Sequence, residues 1–195
     1  QALPVQVTAK ITSLLDRDYF LLPKDKIIFM FAFDSNSSLE RKNPMAAYDA
    51  FCKAFSDPKY DDVILLIKTH STNKLFGEYK NFLIKLKSDK RVKFVDRIMS
   101  SNEMLNLVNV SDVIISLHRS EGYGILMREA QLLDKYVIAT GYSGNVEFMQ
   151  EQDKSYLVDY KIVDKKHSPG YFWADPNIDD AAQKIQYAYA QTKGA

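Results

Sequence analysis

The sequence predicts an α/β fold of three layers, helices on both faces of a parallel sheet of about six strands. Two observations predict it. Six short apolar runs rich in β-branched and aromatic residues recur along the chain, several apolar throughout, as strands buried on both faces are. Longer stretches with apolar residues at helical spacing lie between them, and such alternation implies right-handed crossovers.

The elements follow in order. Val5, Ile11, Leu14 and Leu15 fall roughly in register and predict a helix near 5–16. KIIFMFAF (26–33) predicts the first strand. In 43–55, Ala46, Ala47, Ala50, Phe51, Ala54 and Phe55 form one stripe behind Pro44, whose missing N–H costs nothing in a first helical turn. DVILLIK (62–68) predicts a strand, 74–88 a helix, and RVKFVD (91–96) a strand. The helix over 101–110 has Ser100 or Ser101 to cap it and Glu103 in its first turn. SDVIIS (111–116), a helix over 124–133, KYVIAT (135–140) and SYLVDY (155–160) complete the alternation, and a helix over 179–192 ends it. The stretch 163–177 holds two prolines, one glycine and the only Trp. It reads as a long ordered connection anchored by Tyr171, Phe172 and Trp173.

A chain of 195 residues fits a single domain, 1–195, with a large core. The 46% hydrophobic content excludes a disordered chain, and 26 Lys+Arg against 25 Asp+Glu argues against a nucleic-acid partner, which needs a basic surface. The single Cys52 rules out an internal disulfide and fits a reducing compartment. No apolar run approaches the roughly 20 residues that span a bilayer. The start, QALPVQVTAK, has neither a signal-peptide pattern nor an initiator Met, so a piece of a longer protein is expected.

Ligands of an open parallel sheet bind beyond the carboxyl ends of its strands. The residues after the runs are small, polar or basic there: Asp34, Ser37, Ser38, Arg41 and Lys42 after the first, Thr69, His70, Ser71 and Thr72 after the second, Arg97 and Ile98 after the third, and Thr140, Gly141, Ser143 and Gly144 after the fifth. After the fourth comes LHRSEGYGILMREA (117–130). Gly122 and Gly124 permit close backbone approach and open a helix whose free N–H groups suit a phosphate. Arg41 and Lys42 would join them on a diphosphate, and Glu121 and Glu129 would accept from polyol hydroxyls. Each feature also has a plainer reading: a solvated Arg-Lys pair, a surface carboxylate, and for His118 a hydrogen-bonded wall residue. His70 and His167 show no obvious partner. No Cys/His metal spacing, phosphate loop or G-x-S-x-G elbow is present.

Four blocks in order resemble the C-terminal, donor-binding half of retaining GT-B glycosyltransferases, family four or "group 1". They are DSNSSLERKNPMAAYDAFCKAF, SDVIISLHRSEGYGILMREAQLL, YVIATGYSGNVEFM, and the pair SYLVDYKIV and GYFWADPNIDDAA. The second holds the family's Glu, seven residues, Glu pattern as Glu121 and Glu129. The resemblance implies a Rossmann-like domain, one half of an enzyme whose N-terminal acceptor domain is absent here. It implies that Glu121 faces the donor sugar, backbone N–H groups from Gly122 through Tyr123 and Gly124 to Ile125 face the diphosphate, and Glu129 holds the ribose. Lys42, with Arg41, would neutralise the phosphates and assist departure of the nucleoside diphosphate; Ser37 and His118 would line the site, and Arg97 and Ile98 would lie near the base. Family members often carry an Arg a few residues before the Lys; here that region is SNSSLE, so Arg41 substitutes or the second cation is missing.

The expected activity is transfer of a hexose, with retention, from a nucleoside diphosphate sugar to a saccharide or lipid-linked acceptor, with no metal or other cofactor. The fragment alone is expected to be inactive. The full protein is expected in the cytoplasm, with peripheral association at the membrane face and a role in surface polysaccharide assembly. Two alternatives stay open: a domain of another nucleotide-sugar enzyme, such as an epimerase, and a non-catalytic nucleotide-binding or interaction module of the same fold.

Overall fold

The computed structural model describes residues 7–70, 77–149, 154–165 and 168–194. Six parallel strands form one sheet in the order β3-β2-β1-β4-β5-β6. They are β1 (Ile27–Ala32), β2 (Val63–Thr69), β3 (Val92–Asp96), β4 (Val113–Ser116), β5 (Tyr136–Thr140) and β6 (Ser155–Val158). The strand order reverses between β1 and β4, which pair through Phe29 with Val113 and Met30 with Ile114. That reversal opens a crevice at the carboxyl edge of the sheet.

Strand alternation divides the core in two. Phe29, Phe31, Leu65 and Ile67 face α2 (Pro44–Ala54), α3 (Glu78–Ser88) and α7 (Ile178–Lys193). Ile28, Met30, Leu66 and Ile114 face α4 (Ser101–Val110), α5 (Ile125–Leu132) and the segment carrying Phe20 and Leu22. The expected α2 stripe is buried, and Phe51 and Phe55 pack against Phe29 at centroid separations of 5.9 and 5.2 Å. Ser100 caps α4 in a reciprocal box with Glu103. The fold class is the one the sequence predicts. Among the described residues no helix is long and apolar enough to cross a membrane.

Four expectations need correction. Residues 7–16 form no helix, and residues 5 and 6 lie outside the described ones. The backbone there bonds to side chains of α4 instead: the Thr12 and Leu15 amides donate to Asn102 Oδ1 (2.8 Å) and Asn106 Oδ1 (2.9 Å), and Asn106 Nδ2 donates to the Ser13 carbonyl (2.9 Å). These bonds satisfy polar groups that a helix would have paired internally. Helix α3 starts at Glu78 after Gly77, and residues 74–76 lie outside the described ones.

The run 155–160 breaks at Asp159, whose amide is taken by Asp180 Oδ2 (2.7 Å), and Tyr160 opens a new strand. The stretch 163–177 is mostly hairpin: β7 (Tyr160–Asp164) pairs antiparallel with β8 (Phe172–Pro176), outside the main sheet. Only Trp173 of the three expected anchors is buried; Tyr171 and Phe172 are 68% and 55% exposed. Two one-turn helices, α1 (Leu39–Lys42) and α6 (Val146–Met149), were not foreseen.

Candidate functional site

Segments following β1, β2, β3 and β4 border one cleft at the carboxyl edge. A cavity of 540 Å³ is lined by Asp34, Ser37, Lys42, Lys68, His70, Ile98, Met99, Met104 and Leu126. It shares Ala32, Lys42 and Leu126 with a second cavity of 250 Å³, beneath Ser116, Glu121, Tyr123, Gly124 and Ile125.

Helix α1 sets the cations. The Ser38 hydroxyl accepts the Arg41 amide (3.2 Å), and Asn43 closes the turn in the left-handed region before Pro44 starts α2. That short turn places Arg41 and Lys42 beside the loop after β4, where the Arg119 amide donates to the Arg41 carbonyl (2.8 Å). Arg41 donates through Nη1 to the Ser120 carbonyl (2.9 Å) and through Nη2 to Ser37 Oγ (3.0 Å), with Nη1 3.5 Å from Glu121 Oε2. Lys42 Nζ pairs directly with the same Oε2. The Gly122 amide donates to the other oxygen, Oε1 (3.1 Å). Burial alone would raise the Glu121 carboxyl; the Lys42 hydrogen bond and charge, the Gly122 amide and Arg41 outweigh it and hold its pKa below the usual range.

The loop after β5 braces this arrangement. Ser143, at φ +81°, accepts the Glu121 amide on its hydroxyl (3.1 Å), and the Gly144 amide donates to the Gly122 carbonyl (3.0 Å). A Cβ at residue 144 would collide with that carbonyl, so the close approach requiring glycine falls at Gly144; a Cβ on Gly122 would meet open space. Gly124 is the N-cap of α5 at φ +88°, a conformation few other residues adopt, and no side chain among the described residues caps the helix. The first-turn N–H groups of α5 therefore keep their capacity for an anion.

Glu129 lies one turn further along α5. Its carboxylate is half-buried and has no hydrogen bond or ion pair among the described residues, and burial pushes its pKa up. Neither cavity of the cleft is lined by Glu129.

The structure thus brings Ser37, Arg41, Lys42, Glu121, Gly122, Tyr123, Gly124, Ile125 and Ile98 to one cleft. Tyr123 stands against Phe148 at a centroid distance of 5.0 Å. His118 lies behind the wall rather than in it: it is fully buried, Nε2 faces the Tyr142 carbonyl (3.1 Å) and Nδ1 faces Ser116 Oγ (3.0 Å). A carbonyl only accepts, so Nε2 carries the proton and Nδ1 accepts from the hydroxyl; burial lowers the ring's pKa and keeps it neutral. Arg97 turns to Glu103 (2.5 Å), leaving the cleft wall to Ile98 and Met99. His70, without an obvious partner in the sequence, pairs with Asp34 Oδ1 (3.1 Å); His167, Ser71 and Thr72 lie outside the described residues.

Sequence reading missed Lys68 as a site residue. It is 6% exposed, donates to the Thr69 carbonyl (2.9 Å), and burial lowers its pKa. Its signal was a lysine ending an otherwise apolar run at the ligand edge. Among the described residues no group of three or more His, Cys, Asp or Glu is arranged to hold a metal ion.

The model of a known family, glycosyl transferases group 1, matches residues 35–193. No curated protein matches the sequence. Solved structures share the fold. The C-terminal domain of a group 1 glycosyl transferase (LpcC) from Francisella tularensis aligns with a TM-score of 0.70 at 20% identity, over 96% of this chain and 90% of that one. A glycosyltransferase from Rickettsia africae ESF-5 aligns at 0.64 and 21% identity, over 89% and 40%. Anabaena HepE, solved with UDP and glucose, aligns at 0.60 and 19% identity, over 87% and 40%. The chain therefore spans 40% of the length of each of the last two, against nearly all of the isolated Francisella domain.

Proposed function

This chain belongs to the group 1 glycosyl transferases, and we propose that it is the C-terminal, donor-binding half of a family-four enzyme of the retaining type. The enzyme transfers a hexose from a nucleoside diphosphate sugar to a saccharide or lipid-linked acceptor. The observation that carries this reading is the convergence of Lys42, Arg41 and the N-terminus of α5 at one end of the cleft, with Glu129, which has no partner among the described residues, further along the helix.

The diphosphate lies against the first turn of α5 and Lys42. Helix N–H groups and fixed cations stabilise the charge that develops as the nucleoside diphosphate departs, without a metal. Glu129 accepts from the ribose hydroxyls, and the base lies against Ile98, Met99 and Met104. The complex of HepE with UDP and glucose supports a ligand of this class. The acceptor binds to a second, N-terminal domain, and closure between the two assembles the catalytic site. The full protein works in the cytoplasm, with peripheral contact at the membrane face in polysaccharide assembly.

Calorimetric titration with UDP, GDP and ADP and their hexose conjugates tests the reading. One nucleoside diphosphate family binds, and the chain alone transfers no sugar. Failure of all three families to bind rejects the assignment.

A further inference from the structure

A separate cavity of 480 Å³ lies where the β7–β8 hairpin meets α1, α2 and the start of α3, and it shares no lining residue with the two cavities of the cleft. Its size falls in the range of small-ligand sites, about 300–1,000 Å³. Arg119 ties its walls together. Nε donates to Asp175 Oδ1 on β8 (2.8 Å), Nη1 donates to the Glu40 carbonyl of α1 (2.7 Å), and the Arg119 carbonyl accepts the Ala174 amide (3.0 Å).

Four carboxylates, Glu40, Asp49, Asp164 and Asp175, line this cavity with Arg119. Arg119 takes Asp175, and Lys85 Nζ lies 3.8 Å from Asp49. The carboxylates of Glu40 and Asp164 have no partner among the described residues. Asn43 lines the same cavity and is only 5% exposed, yet its Nδ2 has no hydrogen-bond partner among the described residues. The left-handed turn at residue 43 (φ +54°) does not account for that amide, because glycine meets the same conformation with no buried donor. A buried donor without an acceptor is costly.

We propose that this cavity is a saccharide-binding site, distinct from the nucleotide cleft. A fitting ligand accepts from Asn43 Nδ2 and donates to Glu40 and Asp164. A hydroxyl does both, whereas an ammonium only donates and a phosphate would stand among four carboxylates. Trp173, Pro44, Met45 and Pro176 give the cavity apolar surface for the C–H face of a sugar ring. Arg119 among the lining residues, Lys85 beside Asp49 and Lys165 Nζ 5.4 Å from the Trp173 ring offset most of the negative charge, which suits an uncharged ligand. The site gives the domain a grip on a glycan that is independent of the nucleotide, and it does not rest on the donor-site reading above.

Trp173 is the only tryptophan, so its emission reports on this cavity. The test titrates the 195-residue chain with maltose, lactose, mannobiose and chitobiose, and with spermidine and inorganic pyrophosphate. At least one disaccharide changes the emission saturably, at about millimolar concentration. Asp164→Ala, on the exposed β7, weakens that disaccharide about tenfold through loss of a charged acceptor. Asn43→Gly, which keeps the left-handed turn, weakens it about fivefold. No saturable change with any disaccharide overturns the proposal, as does saturation by spermidine or pyrophosphate alone, or parental affinity in both variants. Should one variant misfold, the other decides. A disaccharide that binds to a chain deaf to every nucleoside diphosphate rejects the donor-site reading and leaves this one standing.

Discussion

Two ion pairs of similar burial sit at opposite edges of the same sheet. At the amino edge, Arg17 and Asp112 have 20% and 24% of their side chains exposed; at the carboxyl edge, Lys42 and Glu121 have 23% and 16%. Their surroundings differ. Arg17 uses Nε on the Val110 carbonyl (3.0 Å), Nη1 on the Lys26 carbonyl (2.8 Å) and Nη2 on both Asp112 oxygens (2.9 and 3.2 Å), while Asp112 Oδ2 also accepts the Ile28 amide (2.7 Å). That network ties the first segment to the starts of β1 and β4 and leaves little capacity for a ligand. The ammonium of Lys42 has one partner among the described residues, and Glu129 has none. Saturated charges lock the fold; a cation with one partner in a cleft keeps capacity for a ligand.

The comparison breaks most visibly through Arg17→Ala. It leaves Asp112 and several carbonyls short of donors, so stability falls by about 2 kcal/mol, discounted from a fully buried pair for partial exposure. Nucleotide affinity measured below the melting transition stays near the parent value. Lys42→Ala does the reverse. Affinity for nucleoside diphosphates falls by about 1.5–3 kcal/mol, nucleoside affinity is spared, and the melting temperature falls less than in Arg17→Ala, because Arg41 and the Gly122 amide stay on Glu121. A Lys42→Ala protein as unstable as Arg17→Ala, with unaltered nucleotide binding, would erase the distinction.

Glu129→Gln sharpens it further. Removing a half-buried charge without a partner raises stability of the ligand-free protein by less than about 1 kcal/mol at neutral pH, while weakening nucleoside diphosphate and nucleotide sugar alike. Thermal denaturation and titration on the same preparation check both halves.

The smallest effect is in the pH profile, where the two glutamates have opposite signs. The folded pKa of Glu121 is depressed, so its stabilisation is present above the unfolded carboxylate range and is lost as pH falls through the folded value. The folded pKa of Glu129 is raised, so its cost is absent at low pH and grows as pH rises through that value. Glu121→Gln flattens a limb that rises with pH and Glu129→Gln flattens one that falls. Denaturant unfolding between pH 3 and 7 resolves the two slopes; equal signs would contradict the assignment of their environments.

The central strands β1, β2, β4 and β5 were legible because they are buried on both faces, so apolar runs such as DVILLIK mark them. The hairpin was not: β7 is exposed along its whole length and β8 contains Pro176, which leaves neither an apolar run nor a clean alternation. Residues 7–16 carry helical spacing, but their backbone is held by Asn102 and Asn106, distant partners that local pattern does not reveal.

In the site, the cations, the glycines before α5 and both glutamates could be named from spacing. Sequence spacing could not tell that Glu121 turns onto Lys42, that Arg97 is drawn away by Glu103, or that His118 points inward. Those outcomes depend on which neighbour offers the better charge or carbonyl across the fold.

A crystal structure of the chain with the nucleoside diphosphate that binds it tests the central claim most directly. The account predicts the diphosphate against the first turn of α5 and Lys42, the ribose at Glu129, and the base against Ile98 and Met99. A nucleotide seated instead in the separate 480 Å³ pocket of Arg119, Trp173 and Asp175, with Lys42 still paired to Glu121, would contradict it.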